Sequence, residues 1–421
     1  MDALNYRHGE LFVEDVALAR IAEAVGTPCY VYAKNQLSAA YRAFATALGG
    51  HGLVCYAVKA NSNLAILATF AALGAGFDIV SAGELERVIA AGGDPRRVVF
   101  SGVGKTAAEI ERALACDIKC FNVESPAELE RLEAIAGRAG KSAPVSLRVN
   151  PDVDAGTHPY IATGLKENKF GIPLNEAAAL YGDAARYPHL RFVGVDCHIG
   201  SQLTDLRPFA DALDRVLPLV RQLRAQGLPV EHVDVGGGLG IRYRDERPPG
   251  VAAYVGQMRE RLVAHGLADL SLLLEPGRAL VAAAGTLLAR VEYLKSTDTR
   301  HFAIIDAGMN DLIRPALYGA FQAIQAVRDP GDAPTLDYDV VGPVCESADV
   351  FGRGRRLHLA PGDLLVVRDA GAYGFAMSSQ YNSRPRAAEV LVDGARFRVV
   401  RTRETLADLW RGESVSGAET G

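Results

Sequence analysis

A lysine follows an apolar run in Gly52-Leu53-Val54-Cys55-Tyr56-Ala57-Val58-Lys59-Ala60-Asn61. At the end of a buried strand, such a side chain has a desolvated stem and a reachable tip. Burial disfavours the ammonium form, and the neutral amine left behind can attack a carbonyl. The same lysine could equally close the strand and keep its ammonium in water. Five further clusters bear on the choice. In Glu275-Pro276-Gly277-Arg278, a buried glutamate could hold a proton on a heteroaromatic nitrogen. Gly277 could offer a backbone N–H to a phosphate, and Arg278 could grip a carboxylate in bidentate fashion; the alternative is a Glu/Arg surface turn. In His198-Ile199-Gly200-Ser201-Gln202, the imidazole could stack on a planar ring while Ser201 donates to a phosphate, or it could be a hydrogen-bonded core histidine. Gly236-Gly237-Gly238-Leu239-Gly240 lets backbone approach an anion, or makes a tight turn and nothing more. It is not a dinucleotide fingerprint, because GxGxxG would need glycine at Ile241.

Two clusters lie later in the chain. Cys345-Glu346 could be a proton-donating thiol beside a carboxylate, or a small buried residue next to a solvated one. Tyr373, in Gly371-Ala372-Tyr373-Gly374, could reach a phosphate or pack in its turn. Taken together, an amine for an aldehyde, an aromatic stacking partner, a carboxylate for a ring nitrogen and a glycine cradle for a phosphate describe one cofactor, pyridoxal phosphate.

These residues have to be positioned by repeated elements. Eight apolar runs ending in polar or glycine residues, 53–59, 77–80, 98–102, 120–124, 145–150, 192–198, 230–236 and 272–275, alternate with amphipathic stretches rich in Ala, Leu, Glu and Arg. Alternation of strand and helix implies parallel pairing, and eight units predict a closed (β/α)8 barrel, with an open doubly wound sheet as the other solution. Lys59, Asp78, Ser101, Asn122, Arg148, His198, Gly236 and Glu275 fall at the carboxyl ends of the runs, which is the face where such barrels build their sites. Ser125-Pro126-Ala127-Glu128 predicts a capped helix start in capping-box register. After residue 285, short strand-like runs separated by Gly, Pro and Asp predict a second, β-rich domain. The expected division is 27–284 for the barrel and 1–26 plus 285–421 for the β-rich domain.

The 421 residues, 49% hydrophobic and 23% charged, suit two globular domains and exclude a disordered class. A net charge of −5 without a basic block excludes nucleic acid as the main partner and favours a small molecule. No run of about 18 apolar residues occurs, and the first residues lack a secretory pattern, so the expectation is a soluble cytoplasmic protein with no membrane contact. Six dispersed cysteines, with Cys116 and Cys120 separated by three residues, argue against a disulfide scaffold or a zinc site, and no metal is expected.

Over essentially its whole length the chain resembles the diaminopimelate decarboxylases, which are fold-type III, alanine-racemase-like pyridoxal phosphate enzymes. The resemblance is carried by Tyr56-Ala57-Val58-Lys59-Ala60-Asn61, Phe77-Asp78-Ile79-Val80-Ser81-Ala82-Gly83-Glu84, Asn168-Lys169-Phe170-Gly171, the 198–202 and 236–240 segments, Glu275-Pro276-Gly277-Arg278, Cys345-Glu346 and Gly371-Ala372-Tyr373. It implies that Lys59 attaches the cofactor covalently, that His198 stacks on its ring and that Glu275 pairs with the ring nitrogen. Asp78 joins the cofactor-binding set, and phosphate falls to Ser201, Gly237, Gly238, Gly240, Gly277, Arg278 and Tyr373. It also implies a homodimer with shared sites, in which the partner supplies Cys345 as proton donor and Glu346. Substrate would be held by Arg278, Arg314, Tyr318, Glu346 and Tyr373, because a second amino acid centre needs a cation for its carboxylate and an anion for its ammonium. The implied reaction is decarboxylation of meso-2,6-diaminopimelate to L-lysine and CO2, the last step of lysine biosynthesis. The alternatives are a decarboxylase of ornithine, arginine or carboxynorspermidine, or a non-catalytic binding relative. A mobile lid is implied at residues 152–158.

Overall fold

Eight short strands rich in Val, Leu, Phe and Cys are buried along nearly their whole length, the pattern of a parallel sheet covered on its outer face. They are β1 (Gly52–Ala57), β2 (Gly76–Ile79), β3 (Val98–Phe100), β4 (Cys120–Val123), β5 (Ala143–Asn150), β6 (Leu190–Asp196), β7 (His232–Asp234) and β8 (Ser271–Leu274). Each pairs in parallel with the next, and β8 pairs with β1, so the sheet closes on itself. Among the described residues, seven helices alternate with the strands, from Leu64–Ala72 to Val251–Ala264. The expected (β/α)8 barrel is therefore present, and the open-sheet alternative is excluded. These coordinates come from a computed structural model, which describes residues 3–153, 169–415 and 417. Asn168 and residues 154–158, where a lid was expected, lie outside the described residues.

Two local differences from the sequence reading have clear causes. The first strand stops at Ala57, and Val58–Ala60 is a 3-10 turn, so Lys59 leaves the in-and-out alternation of the strand and rides on a turn. Asn61 N–H to Val58 O, 3.1 Å, closes that turn, and the Tyr56 hydroxyl donates to Asn61 O at 2.8 Å. The second difference is at Ser125. Its side chain accepts from Glu128 N–H as expected, at 3.2 Å, but the Glu128 carboxylate does not complete the box. It is taken instead by the buried Lys105 ammonium, 2.7 Å, and by Glu124 N–H, 3.1 Å.

The chain divides into two compact units, Leu37–Val281 and Met1–Gln36 with Ala282–Gly421. The first crossing lies ten residues beyond the expected border at 26, because Cys29–Ala33 pairs with Gly285–Ser296 and with Ala388–Asp393. That strand is thus part of a sheet running Val350–Leu357, Leu336–Val341, His301–Ile305, Gly285–Ser296, Cys29–Ala33, Ala388–Asp393, Arg396–Arg401, with Leu364–Val367 and Ile324–Ala326 joined to it. Its core packs Cys29, Val31, Leu288, Val366, Val390 and Val392 against the amino-terminal strands and the helix Leu18–Val25. Val350–Leu357 and Arg396–Arg401 are mostly exposed or half-buried and carry three arginines each, which hid them from a search for apolar runs.

Candidate active site

At the carboxyl end of the barrel, Lys59 Nζ lies 2.5 Å from Asp78 Oδ2. The Lys59 side chain is 38% exposed while that of Asp78 is fully buried, so the lysine is anchored from below and open above. Asp78 is inward-facing on β2, opposite Ala57 in the β1–β2 register.

Beside this pair stands a group of buried carboxyls. Asp196 ends β6, Asp234 ends β7, and Glu275 follows β8; their oxygens lie within 4.8 Å of one another. Two unit charges at that distance repel by about 3.5 kcal/mol at an effective dielectric of ~20, so the three cannot all be ionised. Glu275 is accordingly pushed well above the usual carboxylate range, chiefly by burial and then by Asp234, Asp78 and Asp196. Asp196 moves the same way, by burial and by Asp234, with Arg148 opposing. Asp234 is raised to about 6: burial raises it, the Gly236 N–H bond draws it back, and Asp78 adds to the rise. Asn122 Nδ2 donates to Glu275 Oε1 at 3.3 Å, with Ser101 Oγ at 3.5 Å. Arg148 Nη1 meets Glu124 at 2.9 Å, and its Nε lies 4.0 Å from Asp196.

The opposite character prevails in the loops after β6 and β7. Leu203 N–H donates to Gly238 O and Gly240 N–H to Leu203 O, at 2.9 and 2.8 Å, zipping the two loops together. Side chains cannot be added there: a Cβ on Gly237 would sit 2.3 Å from Glu275 O, and one on Gly238, whose φ is +102°, 2.6 Å from Gly200 O. A Cβ on Gly240 would come within 2.9 Å of Leu203 O. Bare backbone is therefore required by the packing, and it is also what an anion needs. Arg278 is buried beside these loops and donates to Ser201 Oγ at 3.1 Å and to Tyr243 OH at 2.8 Å. A Cβ on Gly277 would meet Ala60 and Ala57 at 3.0 and 3.1 Å, so its backbone lies flat against the turn that carries Lys59.

His198 lies between the two regions. Gly237 N–H donates to its Nδ1 at 3.2 Å, which makes Nδ1 the unprotonated nitrogen. Desolvation, with the charges of Arg148 and Lys59, holds its pKa well below the ordinary value, so the ring is a neutral imidazole. A Cβ on Gly236 would fall 2.4 Å from Nδ1; the glycine is what lets the ring lie on the backbone.

The barrel thus brings together Lys59, Asp78, His198, Ser201, Gly237, Gly238, Gly240, Glu275, Gly277 and Arg278. The other unit carries the remaining candidates. Arg314 is buried and opens the short helix Arg314–Tyr318, where Tyr318 is half-buried. Tyr373 is half-buried with φ +56°, an unusual conformation for a tyrosine. Cys345 is exposed, which removes the reading of it as a small buried residue; its N–H donates to Asn382 Oδ1 at 3.0 Å. Glu346 is exposed and hydrogen-bonds the Tyr381 hydroxyl. Sequence reasoning missed Asp234, Glu124 and Tyr243. Asp234 was findable, since it lies two residues before the glycine run and is buried at the end of its strand.

The residues present fit pyridoxal phosphate by charge and shape. A glycine-backbone cradle with Arg278 and Ser201 suits the phosphate, an anionic group of carboxyls suits a protonated ring nitrogen, and an accessible amine held by Asp78 suits the aldehyde. Residues 34–282 match the family described as pyridoxal-dependent decarboxylase, pyridoxal binding domain. The chain is 62% identical to the diaminopimelate decarboxylase of Pseudomonas aeruginosa, covering 99% of each chain. The chain belongs to the diaminopimelate decarboxylase family. The Vibrio cholerae member is 58% identical, again over 99% of both chains. Among solved structures, the diaminopimelate decarboxylase of Helicobacter pylori complexed with L-lysine superposes with a TM-score of 0.90 at 44% identity, covering 94% of this chain and 98% of that one. The diaminopimelate decarboxylase of M. jannaschi superposes with a TM-score of 0.94 at 38% identity over 98% of each chain. The family's fold is the fold-type III barrel with a β-rich domain, and its cofactor is pyridoxal phosphate.

Proposed function

We propose that this chain decarboxylates meso-2,6-diaminopimelate to L-lysine and CO2 as the last step of lysine biosynthesis. The observation that carries the reading is the Lys59–Asp78 pair, set between a buried carboxyl group and a glycine cradle in a chain whose relatives are diaminopimelate decarboxylases throughout their length. When bound, pyridoxal phosphate supplies a ring that accepts the electron pair released as CO2 leaves. Lys59 would present Nζ to the cofactor's aldehyde, and Asp78, 2.5 Å away, orients that nitrogen. Glu275 would serve the ring nitrogen by holding a proton there, and the neutral His198 ring would pack against the cofactor. Arg278, Ser201 and the 237–240 backbone grip the phosphate. Cys345 protonates Cα, and Arg314, Tyr318, Tyr373 and Glu346 hold the distal amino acid centre, whose paired charges need both a cation and an anion.

The working form is a homodimer in which Cys345 and Glu346 serve the partner's barrel; the exposure of both in a single chain supports this. Cytoplasmic residence agrees with biosynthetic chemistry, and among the described residues no helix is long and apolar enough to cross a membrane. The test is direct. Purified protein with pyridoxal phosphate and meso-diaminopimelate should release lysine and CO2 in equal amounts. Faster turnover of ornithine or arginine would replace this reading with that of another basic amino acid decarboxylase, and no turnover of any of them would favour a binding relative.

A further inference from the structure

Asp234 sits one strand away from Glu275 and has no evident task in the reaction. Its Oδ1 accepts the Gly236 N–H at 2.9 Å, forming the turn that starts the glycine run. Its Oδ2 is buried and outside hydrogen-bond geometry of any donor, with the Glu275 carboxyl and the Asn122 amide as its polar neighbours, and oxygens of Glu275 and Asp196 lie within 4.8 Å. An ionised carboxylate is an acceptor only, so two carboxyls facing each other without a donor need a proton between them. Asp196 Oδ1 is likewise buried and without a donor.

The surroundings do not supply that proton's charge in another way. Lys59 pairs with Asp78 and only partly offsets the shift of Glu275, and Arg148 pairs with Glu124 and Asp196. Below, on the same strand, His232 is held down to about 3 by burial and stays neutral, with its Nε2 3.0 Å from Ser146 Oγ. Cys55 and Cys120, beneath the mouth, are raised by burial and stay as thiols. Among the described residues, Asp78, Glu124, Asp196, Asp234 and Glu275, with the largely buried Glu84 beside Lys59 and Asp78, outnumber the Lys59 and Arg148 cations, and protons meet the surplus.

We propose that Asp234 is a positioning residue: it shares a proton with Glu275 and raises that carboxyl's proton affinity, so that Glu275 has a proton to give the cofactor's ring nitrogen at neutral and mildly alkaline pH. On cofactor binding, the O–H bond of Glu275 breaks and an N–H bond forms at the ring. Glu275 becomes the carboxylate, and no proton is drawn from solvent for the ring. The inference rests on the reading above that Glu275 faces the ring nitrogen.

The full chain, stripped of cofactor, can be titrated with pyridoxal phosphate and with its 1-deaza analogue, in which C–H replaces the ring nitrogen, across pH 6 to 9. Asp234→Asn keeps the Oδ1 acceptor for the Gly236 turn and removes the charge. It should reduce the preference for pyridoxal phosphate over the analogue by about tenfold near pH 8, and lower by about one unit the pH at which that preference fades. Equal weakening of both ligands would mean a merely structural role and would overturn the proposal. Glu275→Gln separates the two readings. If it abolishes the preference while Asp234→Asn leaves it intact, only the role of Asp234 is lost; if it leaves the preference unchanged, Glu275 does not face the nitrogen and both fail. Should the Asp234 variant not fold, calorimetry of the native chain in two buffers of different ionisation enthalpy decides. The two ligands should show the same proton uptake, and one extra proton drawn from buffer by pyridoxal phosphate would overturn the proposal.

Discussion

At the scale of single residues, what sets chemistry apart from packing is whether a buried polar atom has the partner its neighbours could have supplied. Lys59 is accessible at its tip and anchored by a buried aspartate, an arrangement that orients the amine without hiding it. Lys59→Ala should abolish turnover and shift the long-wavelength absorbance that marks covalently attached cofactor; an unchanged spectrum would point to another lysine. Asp311, in the other unit, provides a pH probe. Burial raises it to about 6 from an ordinary 3.8, against the pull of the Gly308 N–H bond. Because the folded state holds this proton more tightly than the unfolded chain, its contribution is fully present below pH ~4 and is lost as pH rises through ~6. The stability of the native protein relative to Asp311→Asn should therefore fall between those limits, by at most about 1.4 kcal/mol per pH unit. Denaturant titrations at pH 4.5, 6.0 and 7.5 check the slope and its sign.

Elements act here by holding loops in register at the barrel mouth. Lys105 is buried, and its ammonium donates to Gly102 O, Asn122 O and Glu128 Oε1 at 2.9, 2.7 and 2.7 Å. It thereby pins the ends of β3 and β4, from which Ser101 and Asn122 reach Glu275. Gly102 N–H adds a bond to Glu124 at 2.8 Å. Replacing Lys105 by Met strands a buried carboxylate and two carbonyls, and should cost about 3–5 kcal/mol of stability. Adding Glu128→Gln should recover part of it, since the charge is removed though the carbonyls stay unsatisfied. Equilibrium unfolding of the single and double variants measures the difference. Parallel strands with short connections make such pins necessary, because a loop after one strand is held only by what its neighbours offer.

For the whole molecule, the claim with most consequence is that sites are shared between two copies. A two-fold dimer repeats the same surface on each partner, so a residue given to the other copy is received from it as well. Inactive Lys59→Ala and Cys345→Ala chains, mixed and allowed to exchange, should regain activity, approaching about a quarter of native sites at random pairing. Complete inactivity after mass measurement has established mixed dimers would count against sharing.

Local chemistry made much of this legible. Eight apolar runs ending in polar residues encode a barrel because a strand buried on both faces must be apolar and its open end need not be. The lysine, histidine, glycine run and Glu-Pro-Gly-Arg segment could be named from residue type, since each offers a group few other residues supply. Only the tertiary structure could decide the rest, because it turns on distances between residues far apart in the chain. Nothing local says that Asp196, Asp234 and Glu275, on three strands, converge within 4.8 Å, or that Lys105 reaches across to Glu128 and leaves the capping box half made. Nor could the chain's order reveal that Cys29–Ala33, which precedes the barrel, pairs with strands more than 250 residues later. Charge repulsion and register are properties of neighbours in space, and closure of the barrel is what chooses those neighbours.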